Sequence, residues 1–248
     1  MTIELLVFFL FGITFGSFLN VVILRIPAGE SVVNVPSHCP HCKKRLKWYE
    51  LIPVLSYLFL RGRCSGCKVR VSAQYPIIEI ANGVLWVLAA LFMTADLPVV
   101  ILGCLTASVL LAVSVIDART MEIPPALNLC ILVLGGIRLA LDYQNWLLYT
   151  IGFAGVSGFI LLLIVVSGGR AIGGGDMKLM AVCGLFLGWK LIIVAFVFGC
   201  IIGSAVHLCR MAAKKAGREL AFGPYLAAGI YISMLWGEEF LSWYLTLL

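Results

Sequence analysis

Two aspartates stand where an apolar chain has little reason to hold a charge. Asp117 follows the run VLLAVSVI and precedes ARTMEIP, and Asp176 follows three glycines in SGGRAIGGGDMKLMA (167–181). Acids inside a bilayer are expensive and by default mark function. Two carboxyl groups at one depth and close together do not readily both ionise, so they share a proton. One then takes a proton from a water while the other gives one to a scissile carbonyl oxygen. That is aspartic-protease chemistry, and it needs neither a metal nor a nucleophilic side chain. A lone acid at a helix start would instead cap it and complement its dipole. This second reading fits Asp176, but fits Asp117 poorly, because Asp117 is expected to end a helix. Glycines 173–175 are expected to let the backbone bend and an extended substrate come close. A serine or cysteine nucleophile with a histidine base finds no support, since His207 stands alone deep in a span.

The remaining acids sort by place. Glu4, Asp96, Asp142, Glu238 and Glu239 fall at outer ends of spans, and Glu30, Glu50 and Glu219 in inner loops, where solvated charges are the expectation. Glu79 and Glu122 share the inner mouths with the two aspartates. Glu79 or Glu50 could attract lysines of a basic substrate, or could be structural.

Nine cysteines divide in the same way. Cys104, Cys130, Cys183, Cys200 and Cys209 lie singly in spans and read as small hydrophobes. The other four pair as CPHC (Cys39, Cys42) and CSGC (Cys64, Cys67), with 21 residues between the pairs. Two such knuckles offer four thiolates, the closed tetrahedral shell of a structural zinc site. Two disulfides or a redox C-x-x-C are the alternatives; disulfides are disfavoured if the loop faces a reducing compartment. His38 and His41 read as neighbours of the knuckle, not ligands.

The elements that must position these groups are membrane helices. Of 248 residues 62% are hydrophobic and 12% charged, with mean hydropathy +1.08; average domains carry about 25% charged residues. Apolar runs near the length of a bilayer crossing recur over 5–24, 76–94, 98–116, 123–141, 146–167, 177–188, 191–210 and 221–236. No ten-residue alternation suggests a barrel. The fold class is therefore an all-α polytopic membrane protein, with about eight transmembrane helices and a small zinc-binding cytoplasmic domain between the first two. The divisions are 1–24 for the first span, 25–75 for the zinc domain and 76–248 for the membrane core.

All of the 18 lysines and arginines except Arg138 and Lys190 fall on one face of this topology, the loop 25–75 being the richest. That face is assigned to the cytoplasm, which puts both termini outside and both aspartates at the cytoplasmic edge. The N-terminus MTIELL has no basic stretch before its apolar run and reads as a permanent span. A net charge of +6 is accounted for by topology and anionic lipid, without nucleic acid.

Six motifs in order carry a resemblance. GSFLNVVILRIP (16–27), the CPHC and CSGC pairs, YPIIE (75–79), IDARTMEIP (116–124), GGGDMKLMA (173–181) and FGPYLAAG (222–229) together resemble the type IV prepilin peptidases, the bifunctional leader peptidases and N-methyltransferases of the GxGD aspartic-protease group. The chain is similar to them over nearly its whole length. It departs at IPPALN (123–128), where the family commonly has an acid at the position of Pro125; that acid is not one of the catalytic pair. The resemblance implies that Asp117 and Asp176 are catalytic and that Cys39, Cys42, Cys64 and Cys67 bind zinc. It further implies a bacterial inner-membrane enzyme that removes the basic leader of type IV prepilins or type II secretion pseudopilins. The freed amine is then methylated with S-adenosylmethionine. The methyltransferase half rests on the resemblance alone, since no glycine-rich strand–turn–helix is present.

Two rivals of other classes bear stating. A secondary transporter also uses intramembrane acids, usually near the midplane, whereas these lie at one edge. A zinc-organised membrane scaffold without catalysis would tolerate loss of either aspartate.

Overall fold

The structure, a computed structural model, describes residues 2–169, 172–213 and 221–247. Arg170, Lys214, Lys215, Arg218 and Glu219, counted above among inner-face charges, lie outside the described residues. Among the described residues all regular elements are helical, apart from two isolated antiparallel bridges. The chain divides into two compact units, Met1–Leu91 and Phe92–Leu248.

The first unit holds α1 (Thr2–Arg25), α2 (Leu55–Phe59) and nearly all of α3 (Gln74–Phe92). Helices α1 and α3 meet through small and polar residues. Asn82 Nδ2 donates to Gly12 O at 2.7 Å, and Asn20 Nδ2 to Tyr75 O at 3.2 Å. A Cβ at Gly16 would stand 2.7 Å from the Cα of Glu79, so the backbones touch. In lipid, where apolar side chains gain little by meeting one another, such close approach and hydrogen bonding hold helices together. The outer faces carry exposed Leu6, Leu10, Phe11, Phe18, Ile77 and Leu91, an apolar surface suited to lipid. At the end of α1 the Arg25 guanidinium turns back onto the chain and donates to the carbonyls of Ser31, Val35 and Pro36. It is thereby 8% exposed, a clamp on the following loop rather than a free charge.

The second unit is a bundle of α4 (Leu97–Thr120), α5 (Pro125–Leu141), α6 (Trp146–Ser167), α7 (Gly174–Leu187), α8 (Trp189–Ala212) and α9 (Gly223–Thr246). Proline in the first turn starts α4, α5 and α9, where its missing N–H leaves no bond unmade. Helix α6 ends on Gly168 in the left-handed region, φ 62°. Helix α4 is largely buried, whereas α6 presents most of its surface outward. Helix α7, at 14 residues, measures only about 21 Å, short of a hydrocarbon core of about 30 Å. It is tolerated because protein surrounds it: Leu179, Met180 and Cys183 are fully buried. Gly184 rests directly on the backbone of Gly152 of α6.

Five helices, α1, α3, α4, the stretch ending in α6, and α8, are long and apolar enough to cross a membrane, and α5 is a shorter apolar helix. The chain is a multi-pass helical membrane protein. All eight expected spans coincide with helices, and their ends differ in two instructive places. Helix α4 runs on to Thr120, so Asp117 lies one turn inside a helix rather than at its end. Helix α9 continues through Glu238 and Glu239, both exposed, to Thr246.

Candidate active site and metal centre

The four loop cysteines are brought together within the first unit. Their Sγ atoms all lie within 4.8 Å of one another, with Cys39–Cys67 and Cys42–Cys64 each at 3.9 Å. Four thiolates bonded to one zinc at about 2.3 Å would stand about 3.8 Å apart, and all four thiols are free. The donor set therefore fits a tetrahedral ion such as zinc. The two knuckles are copies 25 residues apart. His38 bridges Arg45 as Arg63 bridges Arg70. The N–H of Lys43 returns to Cys39 O, and that of Lys68 to Cys64 O. Lys43 and Lys68 take positive φ, 57° and 60°. The N–H groups of Cys67 and Gly66 point at Cys64 and pull its thiol down to about 6, while burial and the neighbouring thiols push that of Cys67 up to about 11, so the sulfurs do not all ionise without a cation to share. His38 Nδ1–H donates to Pro36 O at 3.0 Å, and His38 is outside the ligand cluster, as is His41.

Glu50 corrects the expectation of a solvated charge. It is 8% exposed and accepts from the Lys47 N–H at 2.7 Å, from the Ser65 hydroxyl and from Lys44 Nζ at 3.0 Å. These donors, the Lys47 amide first, hold its carboxyl down at about 2. One carboxylate thus ties the first knuckle to the second. Glu79 is likewise buried, accepting from Val54 N–H at 2.7 Å and from Ser17. Both acids are committed to structural bonds, so neither is free to attract a substrate's lysines. Glu122 is exposed in the turn after α4.

The two aspartates come together in the second unit. Asp117 is 5% exposed and Asp176 8%, and the charge of Asp117 acts on that of Asp176. Each carboxyl is held by a backbone amide. Asp117 Oδ2 accepts from Gly223 N–H at 2.9 Å, at the first turn of α9, where amides lack helical partners and the dipole is positive. A Cβ at Gly223 would stand 2.7 Å from Asp117 Oδ2, so only glycine permits this approach. Asp176 lies in the first turn of α7, where its carboxyl interacts with the amide of Gly173, the residue before the helix, as a capping acid would.

The glycines before Asp176 do something other than bend the chain. Gly173 is extended, and Gly174 and Gly175 are already helical. Gly175 packs on Ile123, whose Cβ would lie 3.3 Å from an added methyl, whereas Gly174 faces open space. Room beside the acid is thus at Gly174. Gly223 falls within the FGPYLAAG motif (222–229), but nothing local in that stretch made its pairing with Asp117 legible.

Two family models cover most of the chain. The bacterial peptidase A24 N-terminal domain matches residues 10–93, and the type IV leader peptidase family matches residues 104–208. A prepilin leader peptidase/N-methyltransferase of Bacillus subtilis is 35% identical, over 96% of this chain and 97% of the relative. The chain belongs to the type IV leader peptidase family. Proteins of the same name from Pseudomonas putida, 35% identical over 92% of this chain and 89% of the relative, and Aeromonas hydrophila, 32% over 96% and 92%, agree. No solved structure matches. As a leader-peptidase family member the chain is a membrane-embedded enzyme, and both A24 regions are present in it: the first covers the knuckles, the second both aspartates.

Proposed function

We propose that this enzyme cuts the basic leader from type IV prepilins or type II secretion pseudopilins at the cytoplasmic membrane face, with Asp117 and Asp176 as a catalytic dyad. The observation that carries this reading is two buried carboxyls in one bundle, near enough for the charge of one to act on the other, with Asp117 held by the Gly223 amide. With one proton between them, the ionised carboxylate removes a proton from water as the oxygen attacks the scissile carbonyl carbon. The protonated carboxyl gives its proton to the carbonyl oxygen. Collapse of the tetrahedral intermediate breaks the C–N bond, and the leaving amine receives the proton first taken from water. The Gly223 amide keeps Asp117 aimed. Acids within a turn of helix ends suit a substrate cut where headgroups meet hydrocarbon better than a midplane transport site.

The family's names support a second activity, methylation of the freed amine, for which S-adenosylmethionine supplies an electrophilic methyl group. No described residues form a recognisable site for it, and no step is assigned. Zinc at Cys39, Cys42, Cys64 and Cys67 would crosslink the two knuckles, giving a small loop domain much of its folding energy; with four protein ligands its role is structural. The charge pattern supports inner-membrane insertion with the leader's basic residues retained on the cytoplasmic side.

The test is co-expression with a prepilin, following leader removal by gel shift and methyl transfer by mass. Asp117→Asn and Asp176→Asn should each stop cleavage in an inserted, folded protein; processing at the wild-type rate by either would overturn the dyad.

A further inference from the structure

Asn128 stands in the first turn of α5 with both polar atoms of its carboxamide buried and, among the described residues, without hydrogen-bond partners. The residue is 6% exposed. Asn82, by contrast, lacks a partner only at Oδ1. Buried polar groups are nearly always paired, and a carboxamide offers two N–H donors and a carbonyl acceptor.

The register of the bundle sets the depth of Asn128. It lies three residues after Pro125 at the start of α5, as Asp117 lies three residues before Thr120 at the end of α4, and residues 121–124 join the two helices. Helix α7 runs parallel to α5: Gly175 lies against Ile123, and Leu185 against Gly135. By the α5–α7 register Asn128 lies within about one helical turn, ~5 Å, of Asp176 and on its deeper side.

We propose that the Asn128 carboxamide pairs with a backbone peptide group of the substrate, within two residues of the scissile bond on the side leading into the substrate's apolar helix. The inference rests on the dyad reading. An extended segment at membrane depth must have its N–H and C=O groups satisfied by protein. Among the described residues no strand lends an edge for this. Pro124 and Pro125 leave the start of α5 without two amide donors, and the Gly223 amide is taken by Asp117. Asn128 carries the donor and acceptor of a peptide group where the backbone has none to spare.

The test uses the purified full-length enzyme and a synthetic prepilin-type peptide, all-amide or with an ester in place of the first or second peptide bond after the scissile one. In the wild type one ester should lower kcat/KM about tenfold; losses under twofold at both bonds overturn the proposal without any variant. Asn128→Leu should lower kcat/KM on the all-amide peptide by roughly 10- to 100-fold, and the sensitive ester should then cost it less than a further twofold. An unchanged kcat/KM, or an ester penalty equal to the wild type's, overturns the proposal. Thermal unfolding supplies a readout that a structural role would move the other way. Leucine in place of an unpartnered amide should keep or raise the melting temperature, and a lower one means that Asn128 serves the fold. Cleavage by Asp117→Asn in the same assay would sink the dyad, while the ester coupling still decides whether Asn128 touches the substrate backbone.

Discussion

The cysteine knuckles and the aspartate pair hold their reactive groups by opposite means. In the knuckles, each half is made by a short segment that closes on itself: Cys39 with Lys43 and Lys44, Cys64 with Lys68 and Val69. Glu50 then fastens the halves with a carboxylate whose partners are all within reach of the same loop. The aspartates come from α4 and α7, and what orients Asp117 comes from α9, 106 residues further along. Among the described residues no buried polar side-chain atom around the cysteines lacks a partner, whereas Asn128, in the first turn of α5, has bonds unmade. A chelate asks for closure and saturation. A catalytic pair asks for precise depth and for groups left over to meet a substrate.

The largest effect should follow from breaking the pair. Asp117→Asn or Asp176→Asn keeps shape but cannot cycle a proton, so cleavage should fall by about 10³-fold or more while insertion and unfolding temperature hold. The pH profile of the wild type should then report apparent values belonging to the pair, not to one residue.

Breaking the chelate should separate the two units. Cys39→Ser, or chelation of the metal, should abolish stoichiometric zinc and disorder the loop, seen by metal analysis and by limited proteolysis. Methylation should fail first, with cleavage retained within a few-fold. Loss of cleavage in parallel with zinc would mean that the dyad depends on the knuckles.

Gly223→Ala tests the third element of the pair. Its methyl would meet Asp117 Oδ2 at 2.7 Å and push the carboxyl off its amide, lowering kcat by roughly 10- to 100-fold, the equivalent of about 1.4–2.7 kcal/mol. Zinc content should not change. A wild-type kcat in this variant would show that the amide does not aim the acid.

The smallest effect belongs to Glu50. Its carboxyl, held down at about 2 from an ordinary 4.5, stabilises the folded loop fully above about pH 4.5, and that stabilisation is lost as pH falls toward 2. At saturating zinc, Glu50→Gln should therefore unfold at a lower temperature than the wild type near neutrality, with the difference shrinking on acidification below pH 4.5. A difference constant with pH would assign the effect to packing alone.

Much of this was legible in the residues. The eight apolar runs each coincide with a helix among the described residues, because lipid admits no other way of pairing the backbone in a chain without barrel alternation. The clustering of the four cysteines, which could hold a metal, was readable because knuckle geometry is local, set by spacing and by the turn after each second cysteine. Asp117 and Asp176 were visible as costly acids in apolar surroundings. The sequence alone could not tell that Glu50 and Glu79 are bonded and buried, since a lone acid in a loop looks the same whether water or three donors surround it. It placed the bend at glycines 173–175, yet two of them are helical, because packing on Ile123 needs a missing side chain there more than a turn. That Gly223 meets Asp117, and that Asn128 is buried near the depth of Asp176 with no partner among the described residues, depend on how α4, α5, α7 and α9 pack. Helix periodicity says which residues face inward; only the register between helices decides which of them meet.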